Sequence, residues 1–180
     1  MVNFAVLYDA CVLYPAPLRD LLMRLAMSEL FRAKWSNRIH EEWINNLLRN
    51  REDLKRQDLE RTRDLMNMHV LDSLVENFED IEKALNLPDP NDNHVLAAAI
   101  VSNCNVLVTF NLKDFLEEEL NKYNIEAQHP DDFLMHLTDL NENRFLDTVK
   151  KTRVSLRNPP KTADEYLSTL QQGLKKSFHF

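Results

Sequence analysis

Apolar positions along the chain follow two rhythms, short unbroken runs and helical stripes, in alternation. Residues 3–8, Asn3-Phe4-Ala5-Val6-Leu7-Tyr8, form a run that predicts a buried strand ending at Asp9. Pro15 and Pro17 suit a helix start, and Leu18, Leu21, Leu22, Leu25 and Ala26 predict a helix over about 17–32. Ser36 then serves as N-cap for a second helix carrying Ile39, Trp43 and Leu47 at i, i+4 and i+8. Residues 51–68 are charge-rich, with a thin face of Leu54, Leu65 and Met66, and His69-Val70-Leu71 reads as a short strand.

The most informative stretch is Leu87 to Phe115. A turn cluster, Pro88-Asp89-Pro90-Asn91-Asp92-Asn93, opens it, and a helix of small residues from Val95 to Val101 follows. A run at Val106-Leu107-Val108 then breaks into the polar segment from Thr109 to Asp114. Beyond it come a helix near Leu116–Tyr123, an edge strand at Ile125-Glu126-Ala127 and a helix opened by Pro130-Asp131-Asp132. Two further helices, about 142–155 and 162–175, are separated by Arg157-Asn158-Pro159-Pro160-Lys161, where the double proline stops a helix. Strands alternating with helices predict an α/β fold with a parallel sheet over residues 1–139, followed by a helical extension over 140–180.

Composition narrows the chemistry. A single glycine among 180 residues argues against a P-loop or a dinucleotide fingerprint. Cys11 and Cys104, both in apolar surroundings, are too few for a disulfide framework or a zinc site, so a reducing cytoplasmic setting is expected. Met1-Val2-Asn3 lacks the basic start of a secretory leader, and no apolar run approaches a membrane span. The net charge of −7 is unevenly spread: residues 1–143 carry 14 Lys+Arg against 26 Asp+Glu, while 144–180 carry 8 against 3. An acidic body suits cations. The basic tail either contacts a polyanion or docks on the acidic body.

Under this reading Asp9 ends the first strand, Asp92 begins a helix and Asp114 follows a later strand. Strand ends and helix starts on one edge of a parallel sheet lie close together, so these carboxylates can converge; capping for Asp92 and solvation for Asp114 are the plainer alternatives. Glu42, just before Trp43 on its helix, is a fourth candidate. Carboxylate oxygen suits hard ions such as Mg²⁺ or Mn²⁺. Two carboxylates about 4 Å apart repel by roughly 4 kcal/mol at an effective dielectric near 20, so such a cluster requires a cation or a proton.

Four segments together resemble PIN domains, closest to the bacterial VapC-type branch: Val6-Leu7-Tyr8-Asp9-Ala10-Cys11-Val12-Leu13, Trp35-Ser36 with Ile39 and Glu42-Trp43, Pro88 to Ala99, and Val108 to Phe115. The resemblance covers residues 4 to about 138, and the segment around Arg157–Thr162 is similar to a helical extension that some of these proteins carry. It implies a three-layer α/β/α fold and Mg²⁺- or Mn²⁺-dependent endoribonuclease activity. The family's acidic positions fall on Asp9, Glu42, Asp92 and Asp114, with Thr109 and Asn111 as polar supports. It also implies a toxin restrained by an antitoxin protein and acting on structured RNA such as tRNA. Asn93 departs from the family pattern, where a basic residue is more common, and Glu41 beside Glu42 offers an alternative register.

Two other readings use the same residues: a catalytically silent RNA-binding or assembly module, and a structure-specific DNA nuclease. His94 is expected to be structural or RNA-contacting rather than a general base, and His40 and His69 solvated or capping. Met66 with Met68, and Trp35 with Trp43, are expected in the core. Arg49, Arg51 and Arg56 belong to a solvated face that can also grip phosphate. Leu21, Leu25, Ile39 and Leu47 offer an apolar surface for a partner helix or a second copy of the chain.

Overall fold

Five short strands hydrogen-bond in the order β3-β2-β1-β4-β5, every pair parallel. They are β1 (Ala5–Tyr8), β2 (Arg32–Ser36), β3 (Leu74–Val75), β4 (Val106–Val108) and β5 (Glu126–Gln128) in the computed structural model, which describes residues 4–176. The helices, in chain order, are α1 (Ala10–Leu13), α2 (Ala16–Met27), α3 (Asn37–Asn50), α4 (Arg56–His69), α5 (Glu79–Glu82), α6 (Asn93–Val101), α7 (Glu117–Leu120), α8 (Pro130–Leu140), α9 (Glu142–Ser155) and α10 (Ala163–Lys176). The expected strand start at Asn3 and the side chains of Lys175 and Lys176 lie outside what is described.

The fold is the expected three-layer α/β/α arrangement with helices appended at the C-terminus. All four residues of β1 and all three of β4 are buried, as a parallel sheet covered on both faces requires. Tyr8 points into one layer, where its hydroxyl donates to Leu22 O (3.2 Å) and its ring meets Phe133 of α8 edge-on. On the sheet, α6 spans β1, β2 and β4. Its core residues Val95 to Ala99 are fully buried, and the run Ala97-Ala98-Ala99 lets the helix axis approach the strands closely.

Three departures from the sequence reading have local causes. The helix expected to run to residue 32 stops at Met27; Glu29 takes a left-handed turn (φ 60°) and the chain enters β2. That strand is masked in the sequence by Arg32 and Lys34, which alternate outward while Ala33 and Trp35 face inward. Lys34 reaches the carbonyl of Asp72. The strand expected at 69–71 is instead the end of α4 and a turn through Asp72 (φ 57°), with β3 three residues later. Met66 is buried but Met68 is 61% exposed, so only the first of that pair is core.

The apolar stripe expected to receive a partner is already occupied. Leu21, Leu25, Ile39 and Leu47 are all buried in the core of the chain itself. Part of the cover is the extension: α9 and α10 both pack on α2, and α9 also on α8. Tyr166 of α10 is buried, and Phe145, Val149 and Leu170 lie partly buried against the core. Arg24 Nη2 donates to Ser155 Oγ (2.9 Å) across the same seam. The ion pair that the extension forms among the described residues, Lys151 with Asp147, is internal to α9. Docking is therefore apolar, and Lys150 and Arg157 remain exposed.

The Tyr166 ring and its hydroxyl make opposite predictions. The ring is buried, while the hydroxyl is buried without a hydrogen-bond partner and its pKa is pushed up to about 12, chiefly by burial. Tyr166→Ala should cost about 3–5 kcal/mol in denaturant unfolding. Tyr166→Phe should be neutral or stabilising, because it removes an unpaired polar group. A cost below about 1 kcal/mol for the alanine variant would mean that α10 does not dock through this ring.

Candidate active site

The sheet order reverses between β1 and β4, and the crevice beyond the C-terminal ends of these strands is where an open parallel sheet receives ligands. Register pairs Tyr8 with Val108, so Asp9 and Thr109 leave the sheet side by side. Asp9 N donates to Val108 O (3.1 Å) and fixes that level. The Asp9 side chain is then held at both oxygens. Oδ1 accepts from Ala10 N (2.6 Å), while Oδ2 accepts from Thr109 Oγ1 (2.7 Å) and Cys11 Sγ (3.1 Å). Burial raises the Asp9 pKa; bonds from Thr109 and Cys11 oppose that shift, and the charge of Glu42 adds to it.

Thr109 passes the order on to the next loop, its Oγ1 accepting from Asn111 N (3.0 Å). Asp114 closes the single 3-10 turn that follows, Leu112–Asp114. From the other side, the turn Pro90–Asp92 delivers Asp92 to the start of α6. Its pKa is pushed up to about 7, first by burial and then by the charges of Asp9, Asp89, Asp114 and Glu42. The four acids singled out from the sequence thus share one electrostatic field, and Asp89 is a fifth that sequence reasoning passed over. The Asp89 side chain accepts from Asn91 N (2.9 Å), an Asx turn that the Asp-Pro-Asn order announces.

Glu42 projects from α3 toward α6, where its Oε1 lies 2.7 Å from His94 Nε2. Its neighbour Glu41 faces the other way and pairs with Arg56 (3.3 Å) and Arg63 (3.7 Å) of α4. The rotation of α3 is locked from beneath. Trp43 Nε1 donates to His40 Nδ1 (3.1 Å), and Asn67 Oδ1 accepts from Trp35 Nε1 (2.7 Å) and lies 3.1 Å from His40 Nε2. An indole N–H can only donate, so Nδ1 is the acceptor and Nε2 carries the hydrogen. His40 is fully buried, not solvated as expected from sequence. Arg19 seals the outer side, its guanidinium 4.6 Å from the Trp43 ring centre and donating to Leu13 O (2.6 Å).

Two residues beside the acids play parts that their sequence context hid. Cys11 is buried among apolar neighbours, yet its thiol accepts from Phe110 N (3.3 Å) and donates to Asp9. Its pKa is raised by burial and by Asp9, which keeps the donor hydrogen in place. Asn93 staples the preceding loop, accepting from Leu87 N (3.0 Å) and donating to Leu85 O (3.2 Å). Its amide is therefore spent on the protein.

The donor set is all carboxylate oxygen, and the repulsion expressed at Asp92 is the kind that a hard divalent cation relieves. Among the described residues no three His, Cys, Asp or Glu side chains already enclose a metal position. What fits an ion is the concentration of charge and the oxygen chemistry, with Glu42 and Asp114 only partly buried and able to adjust.

A parallel sheet with a carboxylate-rich crevice at its switch point defines a candidate metal-dependent phosphoryl-chemistry site, and similarity narrows the class. A family model described as PIN domain matches residues 5–113, more than half of the chain, which therefore belongs to the PIN domain family. The matched span includes Asp9, Glu42, Asp92, Thr109 and Asn111; Asp114 is the residue after it. A second model, described as VapC50 C-terminal domain, matches residues 130–179. Over 79 residues the chain is 40% identical to "Putative ribonuclease VapC50" of Mycobacterium tuberculosis (strain ATCC 25618 / H37Rv), an alignment covering 44% of this chain and 47% of that protein. The aligned part thus spans about half the length of that relative. No solved structure matches.

The His40 network has a pH signature. Burial holds the His40 pKa down to about 4, against about 6.5 for an unperturbed histidine. The unfolded chain therefore takes up the proton first, and the stability this group contributes is complete above pH 6.5 and lost as pH falls toward 4. The loss is about 3 kcal/mol at most. His40→Gln should lack that component, so wild-type stability should fall more steeply than the variant's between pH 6.5 and 4.5. Parallel profiles would show that His40 does not titrate with unfolding.

Proposed function

We propose that this chain is a Mg²⁺- or Mn²⁺-dependent endoribonuclease that hydrolyses RNA phosphodiester bonds, and the toxin of a toxin–antitoxin pair. The observation that carries the reading is the single electrostatic field of Asp9, Glu42, Asp92 and Asp114 around the sheet's switch point. Family membership and the ribonuclease name of the relative support it. Structured RNA such as tRNA is the substrate class and an antitoxin protein the partner. The setting is cytoplasmic; among the described residues no helix is long and apolar enough to cross a membrane. Residues 1–139 form the nuclease unit and 140–180 the extension.

Asp9 and Asp92 would hold the cation directly, with Glu42 and Asp114 taking its waters or a second ion. A divalent ion so bound lowers the pKa of water and neutralises charge on the scissile phosphate. Asp9 is the fixed member, since three donors set its plane before any ligand arrives. Asp92 carries charge into the crevice from the start of α6, and above its pKa near 7 it is ionised and ready to bind. Thr109 orients Asp9, and the half-buried Asn111 offers an amide to a phosphate oxygen. In-line attack by water leaves a 5′-phosphate and a 3′-hydroxyl.

The extension's charges do not all serve one surface. Arg144 lines a cavity of about 740 Å³ with Arg32 and Lys34, at the N-terminal end of β2 and thus the opposite sheet edge from the acids. Lys150, Lys151 and Arg157 are the better candidates for gripping RNA. The Lys150→Glu, Lys151→Glu double variant should bind RNA more weakly and with a shallower salt dependence, by a slope of about 0.7–0.9 for each phosphate no longer neutralised. Unchanged affinity and slope would remove the extension from the RNA surface.

Matched RNA and DNA oligonucleotides incubated with Mn²⁺ separate the readings of the body. RNA should be cut and DNA should not. Asp92→Asn should lower kcat more than about 100-fold, beyond the 10–100-fold typical of outer-sphere partners, with melting temperature unchanged or raised. Mn²⁺ should also raise the melting temperature more at pH 8 than at pH 6, because protons compete at Asp92, and this difference should vanish in Asp92→Asn. DNA cleavage equal to RNA cleavage would overturn the substrate assignment. RNA binding without cleavage would identify a silent module.

A further inference from the structure

His94 is fully buried at the start of α6, a helix whose residues from His94 to Ala99 are all buried. Its Nε2 lies 2.7 Å from Glu42 Oε1, yet neither Nε2 nor Nδ1 completes a hydrogen bond of good geometry. Leaving an imidazole unsatisfied in a core costs free energy, and every other buried residue of α6 is aliphatic. The placement makes sense only through what the ring touches. Glu42 is 37% exposed at its side chain and is free to turn, whereas His94 is not.

We propose that His94 is a positioning residue for the metal-dependent cleavage: a fixed, buried anchor that selects the orientation of Glu42. The inference rests on the reading of Glu42 as one of the acids that serve the cation. A carboxylate only accepts, so the pair requires the hydrogen on Nε2. A small rotation of Glu42 would align Oε1 with that N–H and leave Oε2 available, on a side chain whose charge acts on both Asp9 and Asp92. The ring sits two residues after Asp92, which caps the same helix, so the start of α6 carries one acid and orients the other. Because α3 is independently locked through Trp43 and His40, Glu42 starts from a fixed backbone position and the ring acts on its rotamer. Outer partners of this kind commonly change metal affinity or activity 10–100-fold.

Four variants of the full-length chain test this: His94→Leu, His94→Gln, Glu42→Gln and the Glu42→Gln, His94→Leu double. The readouts are Mn²⁺ affinity by calorimetry, melting temperature, and kcat and KM on an RNA oligonucleotide. His94→Leu should melt at or above the wild-type temperature, since it removes two unpaired buried nitrogens, while Mn²⁺ affinity falls about 10–100-fold and kcat drops with KM little changed. His94→Gln, which returns an N–H donor near the position of Nε2, should recover most of both. The double variant should bind Mn²⁺ no more weakly than Glu42→Gln alone, because both changes remove one interaction. Wild-type affinity and kcat in a folded His94→Leu, or losses that multiply in the double variant, would overturn the proposal. If His94→Leu fails to fold, the ring ¹⁵N resonances decide. Glu42→Gln must then shift His94 Nε2, and an unmoved signal counts against the pairing. A Glu42→Gln variant with unaltered Mn²⁺ affinity has a different meaning: it overturns the role given to Glu42 itself.

Discussion

Asp9 places a carboxylate where a four-residue parallel strand ends inside the protein, and three donors from two adjacent strand ends hold it there. Such a group is expensive to bury. Its cost is offset only because β1 and β4 finish at the same level, which brings the Thr109 hydroxyl and the Cys11 thiol onto Oδ2 while Ala10 N occupies Oδ1. A one-residue slip between the strands would turn Thr109 to the other sheet face and strand the charge. The seam thus explains several otherwise separate features: the abrupt change from apolar to polar at residue 109, a cysteine two residues after the acid, and a bond from Asn111 N to the Thr109 oxygen.

Around that fixed point the remaining acids are assembled against their own repulsion. Helix α6 matters most, because its alanines press it onto three strands and carry Asp92 into the field of four other carboxylates. The protonated form of Asp92 is favoured in the folded chain below about pH 7, so the ionised site is the less stable one at neutral pH. His40 has the opposite sign, losing stability as pH falls. Between pH 4 and 7 the two groups oppose each other, and the structural network beneath α3 is best satisfied under the conditions that leave the acid cluster most strained. A cation held by these acids, as proposed above, would resolve the conflict by favouring their ionised form at the pH where His40 is already neutral.

Much of the acid cluster was legible because strand ends and helix starts are announced locally. The run before Asp9, the turn cluster before α6 and the break after Val108 each mark a boundary, and parallel topology does the rest. The parts that stayed hidden are those whose meaning depends on neighbours distant in sequence. Arg32 and Lys34 hide β2 because their outward faces lie at a rim that only the folded chain creates. Leu21 and Leu25 look surplus until α9 and α10 pack on α2, and Ile39 and Leu47 until α1, α4 and β2 close on α3. His40 looks solvated until Asn67, 27 residues away, supplies its acceptor. Asp89 was hidden for a different reason: beside two prolines it reads fully as a turn former, and only its proximity to Asp92 gives it electrostatic weight.

The extension shows how charge and packing can be separated on one segment. If its basic residues had formed ion pairs with the acidic body, docking would have neutralised them, and the segment would carry no net attraction for another polyanion. Instead, among the described residues, the contacts are Tyr166, Phe145, Val149 and Leu170 against the core, together with the Arg24–Ser155 bond. Surface ion pairs contribute little to stability, whereas buried aromatic area contributes several kcal/mol, so docking through the apolar side holds the helices and leaves Lys150 and Arg157 exposed. The cations are then distributed by the geometry of α9 and not by the acids they might have balanced. Arg144 lies toward the N-terminal edge of the sheet, and the acids lie beyond the C-terminal edge. With about 3.3 Å per residue along a strand, four-residue strands alone separate these edges by roughly 13 Å, more than the Debye length of about 8 Å at physiological salt. A single phosphate cannot feel both. A ligand that engaged Arg144 and the acid crevice together would have to be long enough to pass around the edge of the sheet.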